Sequence, residues 1–346
     1  MDKNNYFNKK NSCYIIAEIG VNHNGDMDLA KQMIDTAYNI GINAVKFQTF
    51  TAESLVTKDT PKVKYQKINS LNNESHFEMI KKLELSHKDH IELKEYCDNL
   101  NLDFLSTPYD ISSAKFLNEL DVKLFKIASA DLVDIPLHKY IAHTNKPTII
   151  SVGMGTLGEI EDVLKIYKKA NNPNILLLHC VSNYPCSDKS LNLNVINTLK
   201  TTFDIPVGFS DHSEGSEAAI LSIALGAKVI EKHFTLNKSL PGPDHKASST
   251  PKEFLSLIKS IRRAEKMLGD SVKECQAEEK EMSRVSRKSI ALAKNIKKGE
   301  LVKSKHLTMM RPGTGLSYSL TNFIIGSKAK KDLTKGSLIK LEDFIF

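Results

Sequence analysis

Short apolar runs alternate along the chain with longer stretches in which apolar residues recur every three or four positions. The runs cover residues 14–20, 43–49, 103–107, 123–129, 147–151, 174–180, 205–209 and 227–230, and each reads as a strand. The periodic stretches read as helices. Leu29, Met33, Ile34 and Ala37 form the first apolar stripe, and further helices are predicted over residues 89–100, 112–120, 136–143, 157–169, 192–201, 216–225 and 251–268. Their boundaries carry start signals: Asp26 or Asp28 for the first, Glu159, Glu161 and Asp162 in the opening turns of 157–169, and Pro251 at the first position of the last. One long interruption is the polar stretch 52–73, ahead of a helix around 77–85; its length without apolar periodicity reads as a loop over a site. Eight strands and eight helices in strict alternation predict the α/β class and a (β/α)8 TIM barrel. The competing arrangement is a doubly wound open sheet, but Gly20-Val21-Asn22-His23 lacks the glycine-rich fingerprint expected after its first strand.

After residue 268 the alternation stops. Residues 269–286 are polar, rich in Lys and Glu, and read as a linker. Residues 287–346 hold an internal repeat: Ile296-Lys297-Lys298-Gly299-Glu300-Leu301-Val302 is matched by Leu333-Thr334-Lys335-Gly336-Ser337-Leu338-Ile339. A unit of about 60 residues buries little surface for its size, so this one is expected to dock on something. Between the copies, Arg311-Pro312-Gly313-Thr314-Gly315 is a rigid loop that presents an arginine.

Composition narrows the field. The chain has 346 residues, 41% hydrophobic and 26% charged, as expected of an ordinary globular protein. Its net charge of +7 is spread along the sequence without interleaved aromatic residues, which argues against nucleic acid as a partner. There is no apolar run of about 18 residues, so no membrane span is expected, and the polar first 11 residues lack an apolar signal core. Five cysteines without CxxC spacing point to reduced thiols and a cytoplasmic location.

In a barrel of this kind the chemistry lies at the C-terminal ends of the strands. Those ends supply Glu18, Lys46, Gln48, Thr107, Lys126, Ser129, Ser151, His179, Tyr184, Ser210, His212 and His233. His212 and His233 follow neighbouring strands of one βαβ unit, so both imidazoles are placed to converge on a single metal ion. Two lysines with several hydroxyls suggest a bound anion, most simply phosphate, held by charge-assisted hydrogen bonds. A solvated lysine or a helix-capping serine accounts for any one of these positions; the set as a whole does not.

Several motifs resemble the sialic acid (N-acetylneuraminate) synthase family. They are Ala17-Glu18-Ile19-Gly20-x-Asn22-His23-Asn24-Gly25, Val45-Lys46-Phe47-Gln48-Thr49, Ser106-Thr107-Pro108, Lys126-Ile127, Gly208-Phe209-Ser210-Asp211-His212, Glu231-Lys232-His233-Phe234-Thr235 and Pro241-Gly242-Pro243-Asp244-His245. The tail with Arg311-Pro312-Gly313-x-Gly315 is similar to that family's antifreeze-like, or SAF, domain. The resemblance implies a barrel over 1–268 and a SAF domain over 287–346, in a homodimer where each SAF domain covers the partner's barrel mouth. It implies condensation of phosphoenolpyruvate (PEP) with an N-acetylated hexose such as N-acetylmannosamine. The products would be a nine-carbon 2-keto sugar acid and phosphate, and the cofactor a divalent metal, Mn2+ first and Mg2+ or Co2+ as alternatives.

The roles it implies fall on named positions. His212 and His233 match the metal ligands. Lys46, Thr107, Lys126, Ser129, Ser151 and Ser210 match the groups around PEP, and Gln48, Tyr109, Asp131, Tyr184 and Asp244 those around the sugar. Arg311 matches the arginine that reaches the acetamido group, and Glu18 the carboxylate near the reacting centre. Glu18, Lys46, Lys126, Asp131, His212 and His233 form the expected catalytic set. The chain departs from the pattern at Asp131, where Glu is common, at Tyr109, where Phe is common, and at Ser182, where some members have Asn. These departures bear on the identity of the sugar. A diacetamido-trideoxy hexose, giving a legionaminic- or pseudaminic-type acid, is the alternative acceptor. A non-catalytic sugar-binding protein is the alternative outside enzymology.

Overall fold

The computed structural model describes residues 5–9, 12–69 and 74–346. Parts of the polar N-terminus (1–4, 10 and 11) and the end of the 52–73 stretch (70–73) lie outside the described residues. The chain divides into two compact units, Met1–Gly269 and Asp270–Phe346.

The first unit is built on eight parallel strands: β1 (Tyr14–Gly20), β2 (Ala44–Thr49), β3 (Asp103–Pro108), β4 (Phe125–Ile127), β5 (Thr148–Ser151), β6 (Ile175–Cys180), β7 (Val207–Asp211) and β8 (Val229–His233). Their order is β3-β2-β1-β8-β7-β6-β5-β4, and the end strands β3 and β4 approach each other to complete the ring. The helices are α1 (Met27–Asn39), α2 (Ala52–Leu55), α3 (Lys64–Asn69), α4 (His76–Lys81), α5 (His87–Asn99) and α6 (Ile111–Glu119) in the first half. The second half has α7 (Ile135–His143), α8 (Leu157–Lys169), α9 (Asp188–Leu191), α10 (Val195–Phe203), α11 (Glu217–Ala224) and α12 (Pro251–Leu268). The barrel expectation holds, with two differences in detail. The stretch expected to be an irregular loop folds into α2 and α3. The fourth strand is three residues long, because Ser129–Val133 turns into a 3-10 helix and the Ser129 hydroxyl accepts the Gly153 N–H (3.0 Å).

Strand periodicity sorts the barrel's two faces. Alternate residues Tyr14, Ile16, Ala44, Leu105, Leu124, Ile149, Leu176, Leu178 and Val229 pack together inside the ring, with Phe7 against them. Two residues further along the same strands come Glu18, Lys46, Thr107, Lys126, Ser151, Cys180 and Glu231. The inward face therefore changes from apolar to polar within one step of the pleat. The outward residues, such as Ile15, Ala17, Val45, Phe104 and Phe209, join the helices in the main core. Gly208 is required inside: a Cβ there would lie 2.4 Å from the Val229 carbonyl and 2.7 Å from Leu178. Helix starts follow the sequence signals, with Asp26 accepting from the N–H groups of Asp28 and Leu29, and Thr250 and Glu253 forming a reciprocal cap on α12.

In the second unit, residues expected to be linker contain a 3-10 turn (Ala277–Glu279) and α13 (Lys280–Ser286) on an otherwise exposed stretch. The two repeats pair with each other: Ile296 and Leu333 exchange both backbone hydrogen bonds, 3.0 and 2.8 Å. Val302 and Ile339, equivalent in the repeat, are both buried in the unit's own small core, and each copy ends in a 3-10 turn, Ser304–His306 and Leu341–Asp343. The strands β9 (Ser289–Leu292) and β10 (Leu307–Met310) form one antiparallel pair, and β11 (Lys328–Ala329) and β12 (Phe344–Ile345) another.

Candidate active site

Four charged side chains meet at the top of the barrel. The register sets Glu18 of β1 beside Lys46 of β2 on one side and His233 of β8 on the other, and Ser210 of β7 beside Glu231 of β8. Lys46 Nζ lies 2.6 Å from Glu18 and 3.8 Å from Glu231, and Lys126 Nζ lies 3.4 Å from Glu231. None of the four side chains is more than 7% exposed. Two ammonium and two carboxylate groups balance in charge, which is what makes such burial tolerable. Lys46 also donates to Thr107 Oγ1 (2.8 Å), Gln48 Nε2 to Glu18 Oε1 (3.0 Å), and Ser210 Oγ to Glu231 Oε1 (3.0 Å).

The two carboxylates are driven apart. Burial pushes the Glu18 carboxyl up, against the pull of Lys46. Burial acts on Glu231 in the same sense, but Lys126 and Lys46 together overcome it and hold Glu231 ionised. Burial lowers Lys126, opposed by Glu231, whereas Lys46, facing both carboxylates, ends above the ordinary lysine value. Glu18 is thus the member of the quartet most ready to take up a proton.

Beside Lys126 lies a set of hydroxyls. Ser151 Oγ is buried without a hydrogen-bond partner, so it has capacity for a ligand. Gly153 brings the hydroxyls of Ser129 and Ser182 close to the backbone; a Cβ there would come within 2.9 and 2.6 Å of them. Lysines and hydroxyls arranged around one point make a receptor for a phosphate or carboxylate.

The histidines lie at the C-terminal ends of β7 and β8. Their ring centroids are 5.5 Å apart, and the Tyr184 ring sits 4.1 Å from His212 and 5.4 Å from His233. His212 Nδ1 lies 2.8 Å from the Val181 carbonyl, which fixes the proton on that nitrogen and leaves Nε2 with its lone pair. His233 Nδ1 is buried without a partner, 4.0 Å from Asp244 Oδ2. Burial drives His233 well below the usual histidine value. His212 feels the same burial, yet Cys180, the Val181 carbonyl and Glu231 raise it. Two convergent imidazoles, one with an orphaned nitrogen, suit a divalent ion that keeps positions for substrate and water. Among the described residues, no group of three or more His, Cys, Asp or Glu side chains is disposed as a ligand set.

Glu18, Lys46, Gln48, Tyr109, Lys126, Ser129, Ser151, Tyr184, Ser210, His212, His233 and Asp244 all line one cavity of about 250 Å³. A larger hollow of about 690 Å³ shares Tyr65 and Tyr184 with it but holds none of the buried quartet, and its Lys232 and Lys238 are already paired with Asp211 and Glu253.

The NeuB family pattern matches residues 33–273, and the SAF domain pattern residues 287–345. The chain belongs to the NeuB family. The N,N'-diacetyllegionaminic acid synthase of Campylobacter jejuni is 43% identical over 328 residues, 94% of this chain and 98% of that protein. The Legionella pneumophila protein of the same name is 43% identical over 335 residues, 96% of this chain and 94% of that one. Among solved structures, the N-acetylneuraminic acid (sialic acid) synthetase of Leptospira borgpetersenii is 37% identical with a TM-score of 0.71, over 78% of this chain and 90% of that one.

Not every expected residue joins the NeuB-family cavity. Thr107 is outside the lining and accepts from Lys46 Nζ (2.8 Å). Asp131 is outside the lining; burial, with Asp134 beside it, pushes its carboxyl up to about 7. His179 hydrogen-bonds the Leu191 carbonyl (2.7 Å) and packs on Phe209, a structural role. Arg311 is in the second unit, exposed at the end of β10. Glu231, quoted in its motif without a role, joins the quartet, and period 2 along β8 puts it on the same face as His233. Tyr65 of α3, in the stretch expected to be a loop, hydrogen-bonds Asp244, and Asn69 of the same helix donates to the Pro243 carbonyl (3.0 Å).

Proposed function

We propose that this chain is a PEP-dependent nonulosonate synthase whose acceptor is a diacetamido-trideoxy hexose, giving a legionaminic-type acid and phosphate. The buried quartet facing two convergent imidazoles carries the reaction; the two relatives at 43% identity, both named as N,N'-diacetyllegionaminic acid synthases, favour this acceptor over N-acetylmannosamine.

In this reading Lys126 and Lys46, with the hydroxyls of Ser129, Ser151 and Ser210, hold the phosphate and carboxylate of PEP. They fix its nucleophilic methylene carbon at the acceptor's aldehyde carbon. His212 and His233 would hold a divalent metal, Mn2+ by preference, which would supply Lewis acidity for addition to the aldehyde. A carbon–carbon bond forms as the carbonyl π bond breaks, leaving an alkoxide at the former aldehyde oxygen and positive charge at the phosphate-bearing carbon of PEP. Water adds at that carbon as Glu18 accepts its proton; Gln48 and Lys46 orient the carboxylate for this. The carbon–oxygen bond to phosphate then breaks as the new hydroxyl's proton leaves with the phosphate, and the proton held by Glu18 passes to the alkoxide, leaving the 2-keto acid. Asp244, Tyr65 and Tyr184 orient the acceptor. We further propose a homodimer in which Arg311 reaches the acceptor bound by the partner subunit.

Phosphate release from PEP, measured with N-acetylmannosamine and with diacetamido-trideoxy hexoses of both stereochemical series, tests the reading. The diacetamido acceptors should give the higher kcat/KM; preference for N-acetylmannosamine would return the chain to sialic acid synthesis.

A further inference from the structure

One side of the cavity is apolar. Val21 follows β1, Leu55 comes from α2, and Met79, Ile80 and Leu83 come from α4 and its end; all five line the cavity and, with Phe50 and Tyr109, form one hydrophobic cluster. No nitrogen or oxygen is present in these five side chains. The cavity is also lined by Gln48, Gln66, Tyr65, Tyr184 and Asp244. The catalytic groups described above make no use of the apolar side.

Several contacts brace this wall. Ser75 and Glu78 cap α4 reciprocally. Lys81 bridges Glu53 of α2 (3.0 Å) and Glu84 (3.1 Å), and Glu84 accepts the Ala52 N–H that opens α2. The end of α4 rests on the loop after β1: at Gly25, which has φ +74°, a Cβ would lie 2.7 Å from the Lys82 carbonyl. An apolar surface this well braced inside a polar site is suited to recognising methyl groups, because burying a hydroxyl there leaves it without a partner.

We infer that Val21, Leu55, Met79, Ile80 and Leu83 form the acceptor-specificity surface, taking the terminal methyl group of a deoxy sugar and rejecting acceptors hydroxylated or phosphorylated at that carbon. The inference rests on the condensation reading and specifies its substrate. In a diacetamido-trideoxy hexose, two of the deoxygenated carbons carry the acetamido nitrogens and the third is the terminal methyl. N-acetylmannosamine has a hydroxymethyl there, and a phosphorylated aldose a dianion. Among the described residues the lysines lining the cavity are Lys46 and Lys126, which this reading assigns to PEP, so neither is left over to meet a terminal phosphate on the acceptor.

The test is the ratio of kcat/KM for a diacetamido-trideoxy hexose to that for the same diacetamido sugar carrying a terminal hydroxyl. An apolar pocket discriminates against an added hydroxyl by on the order of 10–100-fold, which sets the expected wild-type ratio. Leu55→Asn and Ile80→Thr change half-buried positions and give the wall polar partners; each should lower the ratio toward one, with the KM for PEP held. Binding of the two sugars to the same variants, followed by calorimetry, reads the preference even if turnover is damaged. A ratio near one in the wild type, or a ratio and binding preference unmoved in both variants, overturns the inference while phosphate release continues. Absence of phosphate release with every acceptor overturns the condensation reading and removes this inference with it.

Discussion

Lys126 offers a test in which binding and folding separate. Its Nζ is buried and lies 3.4 Å from Glu231, whose remaining partners are Lys46 at 3.8 Å and Ser210 Oγ at 3.0 Å. Lys126→Met keeps the volume and removes the charge. PEP would lose a charge-assisted hydrogen bond of roughly 1.5–3 kcal/mol, or about 10–150-fold in kcat/KM. The fold would also be left with a poorly compensated buried carboxylate. That costs about 3–5 kcal/mol in fully buried pairs, and the lower figure applies here because Lys46 and Ser210 remain. At about 2–4 °C per kcal/mol, the melting temperature should fall by roughly 6–12 °C. The double variant Lys126→Met/Glu231→Gln removes the orphaned charge, so most of that melting temperature should return while the PEP defect persists. Phosphate-release kinetics and thermal melts on the three proteins decide the matter. A double variant that regains the wild-type KM for PEP would show that Lys126 serves the fold and not the anion.

Chelation should abolish phosphate release and Mn2+ should restore it, with His212→Ala and His233→Ala each losing measurable Mn2+ binding as well as turnover; full activity in metal-stripped protein contradicts the assignment. Asp131 gives a pH prediction: with its carboxyl near 7 against an ordinary value of about 3.9, the folded state holds a proton that the unfolded chain has released, so stability is present at low pH and lost as pH rises through 7. Asp131→Asn should therefore gain about 2–4 kcal/mol on the wild type between pH 4 and pH 8 in denaturant titrations, and a gap that does not change with pH would refute this. Mixing inactive Arg311→Ala with inactive His233→Ala should recover up to about half of wild-type activity per heterodimer, since one of its two sites is whole; a purified heterodimer that stays inactive contradicts action in trans.

Much of this could be read from alternation alone. The eight strands were legible because each is a short apolar run followed by a helical stripe, and the inward face could be anticipated wherever a polar residue ended a run, as at Glu18, Lys46 and Lys126. Glu231 was less visible: it sits between Ile230 and Lys232 in a strand buried on both faces, where its two-residue spacing from His233 is the signal that it turns inward, and the pairing of Lys232 with Asp211 places its neighbour on the outer side. The apolar wall was hidden for another reason. Leu55, Met79, Ile80 and Leu83 come from an excursion with no strand register, so their meeting with Val21 depends on helix packing rather than on periodicity. Arg311 was visible as a motif, but its role depends on chain association, which spacing within one chain does not encode.

The most direct measurement uses PEP labelled with 13C at all three carbons and with 18O in the bridge to phosphorus, incubated with the enzyme, Mn2+ and a diacetamido-trideoxy hexose. Mass spectrometry should find a nine-carbon 2-keto acid carrying all three labelled carbons, one equivalent of phosphate, and the 18O in that phosphate. Phosphate appearing without a nine-carbon product, or with the 18O retained in the organic acid, would contradict carbon–carbon bond formation at this barrel by the route described.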